Sequence, residues 1–80
     1  MYYVYLLRSI PSPRQTYIGF SRDLKRRLAE HNARQSVHTS KFRPWALVCY
    51  HAFADAGRAR DFERYLKTGS GQAFAKKRFW

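Results

Sequence analysis

Apolar and polar positions along the chain follow a strand period first and a helix period later. The segment YYVYLLR (2–8) is rich in aromatic and branched residues, and TYIGF (16–20) repeats this character after a loop that contains two prolines. Because the connection is short, the two segments are predicted to form an antiparallel hairpin. WALVCYHAF (45–53) is the third predicted strand, and it follows a polar, basic loop at 34–44.

Helical periodicity follows the second strand. Ser21 is predicted to be the N-cap of a helix over residues 22–33, because a serine before the first periodic residues can accept an amide hydrogen bond. Leu24, Leu28 and His31 recur at the spacing that places side chains on one face of a helix. We therefore expect these three side chains to face the sheet.

Two further helices are predicted after the third strand. Asp55 is expected to cap a helix that runs to about Lys67, with Gly69 just past its end. Ser70 is expected to cap a last helix ending near Phe79. The element order β-β-α-β-α-α predicts an α+β fold, a small three-stranded antiparallel sheet flanked by helices.

The strongly positive net charge of the chain indicates an anionic binding partner. The 80 residues, expected to form a single domain over 1–80, carry 16 Lys and Arg against five Asp and Glu, a net charge of +11. Eleven of the basic residues are Arg, whose planar fork matches phosphate oxygens in pairs. The composition favours nucleic acid over a membrane surface, since neither long helix shows a wide apolar face opposite a basic one.

The compartment is predicted from cysteine usage and from the start of the chain. Cys49 is the only cysteine, so an intramolecular disulfide is impossible. The first residues lack a basic segment, and their apolar run is too short for a signal peptide or a spanning helix. We therefore expect a cytoplasmic protein, while the oligomeric state is left open by the sequence.

Charged side chains on the inward borders of the helices are candidates for chemistry. Arg27 lies beside the apolar stripe of its helix, one turn before His31, and it either pairs with a carboxylate or binds a ligand. Glu63 lies on the inward side of the second helix, where it either pairs with an Arg or holds a divalent cation against a phosphate. A histidine such as His31, on an apolar stripe, can equally be a satisfied core residue.

Three residues of the hairpin, Tyr5, Tyr17 and Gly19, could likewise have either a structural or a functional role. Tyr5 and Tyr17 would place both hydroxyls on one sheet face if the register is even, and on opposite faces if it is odd. Gly19 weakens a strand interior, so it is typical of a bulge or of the close approach of another group. Most strand tyrosines serve only to pack the core. Geometry alone therefore leaves open whether these two tyrosines are packing residues or part of a functional site.

These residues resemble the motifs of the GIY-YIG endonuclease superfamily. YVY (3–5) and YIG (17–19) are similar to its paired tripeptides, and Arg27 stands where the family has an Arg on the first helix. Glu63 matches the family's metal-binding Glu on the helix after the third strand. The segment FERYLKTGSGQAF (62–74) also looks like the C-terminal part of small stand-alone members, so the resemblance covers nearly the whole chain.

The chain departs from the family pattern at two places. Tyr3 and Val4 replace the Gly and Ile of the first tripeptide, which leaves its tyrosine in place. Many members also carry an Asn near the C-terminus, whereas this chain has none after Asn32. Ser70 and Gln72 are the candidates for that position.

The resemblance implies hydrolysis of a phosphodiester by water at one divalent metal ion, Mg²⁺ or Mn²⁺. Glu63 would ligate the metal, and Arg27 would stabilise the non-bridging oxygens. Tyr17 or Tyr5 would orient and deprotonate the water while the other tyrosine holds the phosphate, and His31 is an alternative base with a better matched pKa. The implied function is a DNA endonuclease that is structure-selective or weakly sequence-specific.

Most of the affinity for DNA is expected from surface cations, which contact phosphates without reading sequence. The candidates are Arg22, Lys25, Arg26, Lys41, Arg43, Arg58, Lys67, Lys76 and Lys77. The loop HTSKFRP (38–44) is either a groove contact or a solvated loop. The alternative function is a nucleic-acid-binding module that keeps the fold with little or no turnover.

Overall fold

The computed structural model describes residues 1–33 and 39–80. Its three strands, β1 (Tyr2–Ser9), β2 (Thr16–Ser21) and β3 (Trp45–Phe53), form one antiparallel sheet in the order β2-β1-β3. Strand β1 is therefore central, and β2 and β3 are the two edges. The predicted hairpin and the third strand are confirmed by this pairing. The sequence signal for all three strands was the alternation of aromatic and branched residues.

Three helices and a short 3₁₀ turn complete the fold. Helix α1 (Leu24–Asn32) follows β2, the 3₁₀ turn (Ser40–Phe42) precedes β3, and α2 (Ala56–Leu66) and α3 (Gly69–Arg78) follow β3. The order β-β-α-β-α-α is the predicted one, and the architecture is an α+β fold. The predicted loop at 34–44 lies partly outside the described residues.

Helix α1 begins two residues later than predicted, and its N-cap is Asp23 rather than Ser21. The Asp23 Oδ1 accepts a hydrogen bond from the Arg26 amide at 3.1 Å. Ser21 is the last residue of β2, and its hydroxyl oxygen accepts the Asp23 amide at 2.9 Å. The serine therefore shapes the turn that leads to the cap, while the carboxylate provides the cap itself.

The connection between α2 and α3 is tighter than predicted. Asp55 caps α2 as expected, but Gly69 is the first residue of α3, and none of the described glycines has a positive φ. Thr68 takes the capping role predicted for Ser70, because its Oγ1 accepts the Gly71 amide at 3.1 Å. The same hydroxyl donates to the Tyr65 carbonyl at 2.6 Å, so Thr68 contacts both the end of α2 and the start of α3.

The sheet is covered on both faces, and β1 contributes to two cores. Its even-numbered side chains, Val4 and Leu6, pack under α2 and α3. Its odd-numbered side chains, Tyr5 and Leu7, pack with Trp45 under α1 and the 3₁₀ turn. All four β1 side chains are fully buried, so the candidate chemistry of Tyr5 lies inside a core rather than on an open sheet.

Gly71 provides a test of the α2–α3 contact. A Cβ at Gly71 would collide with the Tyr65 carbonyl and the Leu66 backbone, whereas a Cβ at Gly69 would meet nothing within 4 Å. We expect Gly71→Ala to destabilise the fold by about 1–3 kcal/mol, because backbone atoms cannot yield as a flexible side chain does. Gly69→Ala is the matched control and should change stability by less than about 1 kcal/mol. Equal denaturation midpoints for the two variants would contradict this packing.

Candidate active site

The two tyrosines of the hairpin lie on the α1 face of the sheet. Tyr5 pairs with Gly19 and Leu7 pairs with Tyr17, which is the even register. The Tyr5 and Tyr17 rings are 6.2 Å apart between centroids. Tyr17 is half-buried at the sheet edge, whereas Tyr5 is fully buried in the centre.

Gly19 allows the Tyr5 side chain to lie across the edge strand. A Cβ at Gly19 would collide with the Tyr5 hydroxyl, and it would meet the Tyr17 ring at 2.9 Å. The glycine is therefore required by side-chain packing, and not by an unusual backbone conformation. Any larger residue at this position would displace both phenol rings from their observed positions.

His31 is fully buried, and both of its ring nitrogens have partners inside the protein. Its Nε2 lies 2.9 Å from the Tyr5 hydroxyl, and its Nδ1 lies 2.7 Å from the Thr39 hydroxyl. The Tyr17 ring packs against the imidazole at 4.8 Å between centroids. Burial lowers the pKa of His31 below its ordinary value, and the positive charge of Arg27 adds to this effect. The imidazole is therefore neutral near pH 7.

Arg27 is held by a carboxylate while part of it stays open. Its Nη1 donates to the Glu30 Oε1 at 2.9 Å, and its side chain is 36% exposed. The other Glu30 oxygen accepts from Arg26 Nε at 3.3 Å, but the Arg26 side chain is 77% exposed. Of the two roles considered for Arg27, the structure shows pairing with a carboxylate, and part of the side chain remains exposed.

Several groups around Tyr5 affect the pKa of its hydroxyl. Burial raises the pKa of Tyr5 above its ordinary value, and the facing Arg27 guanidinium partly offsets this effect. The charges of Tyr17 and Glu63 act in the same direction as burial. The influence of Glu63 matters because this residue lies on α2, which covers the other face of the sheet.

Glu63 lies on α2, which contacts both β1 and β2. Its side chain is 19% exposed, and its Oε2 accepts a hydrogen bond from Lys67 Nζ at 2.7 Å. Lys67 lines an open cleft of about 520 Å³ between β2 and helices α2 and α3, and Tyr17 lies on the opposite wall. The other residues of this edge cleft are Thr16, Ile18, Leu66, Gln72, Lys76 and Trp80.

The donor set at Glu63 can be compared with the needs of metal ions. Within residues 1–33 and 39–80, no group of three or more His, Cys, Asp or Glu side chains could hold an ion by itself. A lone half-buried carboxylate fits Mg²⁺, which keeps several waters and takes further oxygens from substrate phosphates. It does not fit a structural zinc site, which needs four protein ligands.

The predicted surface cations lie on several elements rather than in one cluster. Lys67 and Lys76 line the edge cleft. Lys25 lines a second, mostly apolar groove of about 350 Å³ between α1 and β3. The remaining candidates, Arg22, Arg26, Lys41, Arg58 and Lys77, are exposed, and Arg43 is half-buried.

Several of these cations already contact other groups of the protein. The Arg22 guanidinium lies over the Tyr2 ring at 5.4 Å from its centroid. Arg43 donates to the Ser40 carbonyl at 3.1 Å. Among the candidates for the missing Asn, Gln72 lines the edge cleft, whereas Ser70 is exposed and does not line it.

Sequence reasoning missed two residues of this site. Glu30 is half-buried and binds Arg27. Its spacing of three residues from Arg27 is the signal that could have identified it. Thr39 gave no such signal, since a threonine in a polar loop predicts nothing; it is buried, with 2% exposure, so the solvated-loop reading is wrong at this position.

No helix among the described residues has the length and apolar character needed to cross a bilayer.

Comparison with known proteins gives a family and a set of relatives. A family model described as "GIY-YIG catalytic domain" matches residues 1–78. Three similar proteins are each named "Structure-specific endonuclease subunit SLX1". The protein of Candida dubliniensis is 45% identical over 82% of this chain, that of Debaryomyces hansenii 38% over 82%, and that of Kluyveromyces lactis 44% over 78%.

The chain corresponds to only part of each relative. The aligned region spans 26% of the Candida dubliniensis protein, 21% of the Debaryomyces hansenii protein and 24% of the Kluyveromyces lactis protein. The similarity therefore concerns the domain described here, and about three quarters of each of these relatives has no counterpart in this chain.

Proposed function

Because this chain belongs to the GIY-YIG catalytic-domain family, we propose that it is a divalent-metal-dependent endonuclease that hydrolyses phosphodiester bonds of DNA. The observation that carries the proposal is Arg27, a cation fixed by Glu30 and facing the Tyr5 hydroxyl with more than a third of its side chain open. A binding-only module needs no such arrangement. The names of the relatives favour selectivity for DNA structure over sequence.

The roles follow from where each side chain is accessible. Arg27 binds the non-bridging oxygens of the scissile phosphate, where negative charge increases in the transition state. Tyr17, half-buried on the wall of the edge cleft, contacts the phosphate and orients the attacking water. Tyr5 and His31 lie beneath it, and with both nitrogens occupied His31 acts through Tyr5 and not on water directly.

Glu63 is the residue that would hold the metal, with Mg²⁺ as the preferred ion and Mn²⁺ as its substitute. Once bound there, the ion supplies positive charge to the leaving oxygen. The same carboxylate accepts a hydrogen bond from Lys67 in the free protein. We propose that Lys67 exchanges this carboxylate for a DNA phosphate when metal and substrate bind, because the two cations compete for one carboxylate group.

The edge cleft is the proposed path for the DNA strand next to the scissile bond. Lys67 and Lys76 line it, and Tyr17 and Trp80 provide aromatic surface there. Ammonium groups bind the backbone, and aromatic rings tolerate any base. The remaining surface cations would extend this contact, so affinity should fall steeply with salt. Cytoplasmic location is likewise proposed, on the single free thiol of Cys49.

Metal removal is the direct test of the proposed reaction. We expect the domain to nick supercoiled plasmid with Mg²⁺ or Mn²⁺ and to leave it intact with a chelator. Branched and flapped oligonucleotides should be cut faster than a linear duplex of the same sequence. The measurement is product formation on denaturing gels, in parallel with DNA affinity at several salt concentrations.

The same assay separates the two candidate functions. Salt-dependent binding of all substrates without cleavage of any of them would support the binding-only module. Cleavage that persists in chelator would contradict the metal requirement. Equal rates on branched and linear substrates would leave the nuclease in place and contradict structural selectivity.

A further inference from the structure

Two consecutive hydrogen bonds run through the core beside the proposed phosphate-binding cation. Arg27 faces the Tyr5 hydroxyl, the Tyr5 hydroxyl is 2.9 Å from His31 Nε2, and His31 Nδ1 is 2.7 Å from the Thr39 hydroxyl. Tyr5, His31 and Thr39 are each at most 2% exposed. Water is therefore excluded from the inner links, and the direction of each bond depends on the groups themselves.

The direction of these hydrogen bonds follows from what each group can donate. Arg27 has only donors, so it cannot accept the hydroxyl proton of Tyr5. Among the described side chains that contact this hydroxyl, His31 Nε2 is the one acceptor. A neutral imidazole that accepts at Nε2 carries its proton at Nδ1, and that proton points to the Thr39 oxygen.

We infer that Thr39 is a positioning residue of the active site: its hydroxyl oxygen accepts the Nδ1 proton of His31 and so supports the tautomer, selected by Tyr5 and Arg27, in which Nε2 accepts the Tyr5 proton. The hydroxyl of Tyr5 then turns its lone pairs toward Arg27. The guanidinium gains a second anchor besides Glu30, and its orientation toward a phosphate is set from inside the core. The inference concerns this one side chain and rests on the proposed nuclease function for its effect on rate.

Hydrogen bonds to its backbone carbonyl hold Thr39 in place. Its carbonyl accepts Trp45 Nε1 at 2.7 Å and the Phe42 amide at 3.1 Å. Asn32, one residue after His31, holds the Trp45 backbone from the other side, with its Oδ1 accepting the Trp45 amide at 2.6 Å. The end of α1, the 3₁₀ turn and the start of β3 are thus tied together around the imidazole.

The test compares Thr39→Val with Thr39→Ser. Valine keeps the shape and removes the hydroxyl, whereas serine keeps the hydroxyl and removes a methyl group. Two-bond proton–nitrogen correlation spectra of protein with labelled histidine report the tautomer of His31, after assignment by single substitution of the other histidines. Single-turnover cleavage rates and DNA affinity in chelator are measured on the same samples.

We expect Nδ1-protonated His31 in the wild type and in Thr39→Ser, and a shift toward the Nε2-protonated form in Thr39→Val. The cleavage rate of Thr39→Val should fall at least about tenfold, as for other orienting partners of functional histidines. Thr39→Ser should retain most of the rate, and DNA affinity should be unchanged in both variants.

An Nε2-protonated His31 in the wild type would overturn the inference, and so would a Thr39→Val variant with unchanged tautomer and rate. If Thr39→Val does not fold, the wild-type tautomer still decides. The tautomer is read without DNA or metal, so a wild type that shows the expected tautomer but cleaves nothing would refute the proposed nuclease and not the hydrogen-bond arrangement.

Discussion

Glu63→Gln is expected to lower the metal-dependent cleavage rate by at least about a thousandfold, which corresponds to roughly 4 kcal/mol of transition-state stabilisation. The amide keeps the size of the side chain and can still accept a hydrogen bond from Lys67, but it lacks the charge that holds a divalent ion. DNA affinity in chelator should stay equal or increase, because one negative charge leaves a basic surface. The measurement is single-turnover cleavage over a range of Mg²⁺ concentrations.

Asp61→Asn is the matched control for this substitution. Asp61 lies on the same helix, loses the same charge, and has a side chain that is 76% exposed in an ion pair with Arg64. Its ion pair is on the surface and contributes little to stability. We expect a cleavage rate close to that of the wild type. A Glu63→Gln variant that is as active as Asp61→Asn would refute the metal assignment.

Arg27→Ala should reduce the cleavage rate by about 10²–10³, the typical effect of removing one preorganised donor from a developing charge. The loss should appear in the single-turnover rate more than in DNA affinity, because the proposed contact strengthens in the transition state. Arg27→Lys should recover only part of the rate, since an ammonium cannot form two parallel bonds to a phosphate. The measurements are single-turnover rates and affinities at one fixed salt concentration.

Arg26→Ala is the control offered by the chain itself. Arg26 and Arg27 are adjacent, both pair with Glu30, and each substitution removes one positive charge. The two variants should therefore lose similar DNA affinity, and only Arg27→Ala should lose most of its rate. Equal rates for the two would show that Arg27 contributes nothing beyond its charge.

The strands were the most predictable part of the fold. The bounds of β3 are those predicted, and β1 and β2 each extend one residue further than predicted. Alternation of aromatic and branched residues is a local signal, so it is visible in the sequence. The cap of α1 and the connection after Lys67 were predicted wrongly because Ser, Asp and Thr compete for the same capping role within a few residues.

For the candidate site, the sequence predicted which face of each helix or strand a residue lies on, but not which residues it contacts. Helical spacing placed His31 inward, but the partners of its nitrogens depend on contacts with Tyr5 and Thr39, which are 26 and 8 residues away. The register of the hairpin was open in the sequence and is settled by the pairing of Tyr5 with Gly19. Long-range contacts of this kind have no period and leave no local pattern.

The few acidic residues are all engaged within the fold. Asp23 and Asp55 cap helices, and Glu30, Asp61 and Glu63 each pair with a basic residue three or four positions away in the chain. In a chain of net charge +11, this use of every carboxylate leaves the cations in large excess. Such an excess repels itself in the folded state and is relieved when a polyanion binds.

Because β1 alternates between two cores, residues that only pack and the tyrosine of the proposed reaction lie on opposite faces of the same strand. Its even-numbered side chains pack with Ala59, Leu66 and Ala75, on the face of the sheet opposite Tyr5 and His31. Its odd-numbered side chains include Tyr5 and belong to the face of His31 and Tyr17. An engineer could therefore repack the core around Val4 and Leu6 for thermal tolerance while the face of Tyr5 and His31 keeps its geometry, provided that Glu63 and the residues of the edge cleft are left unchanged.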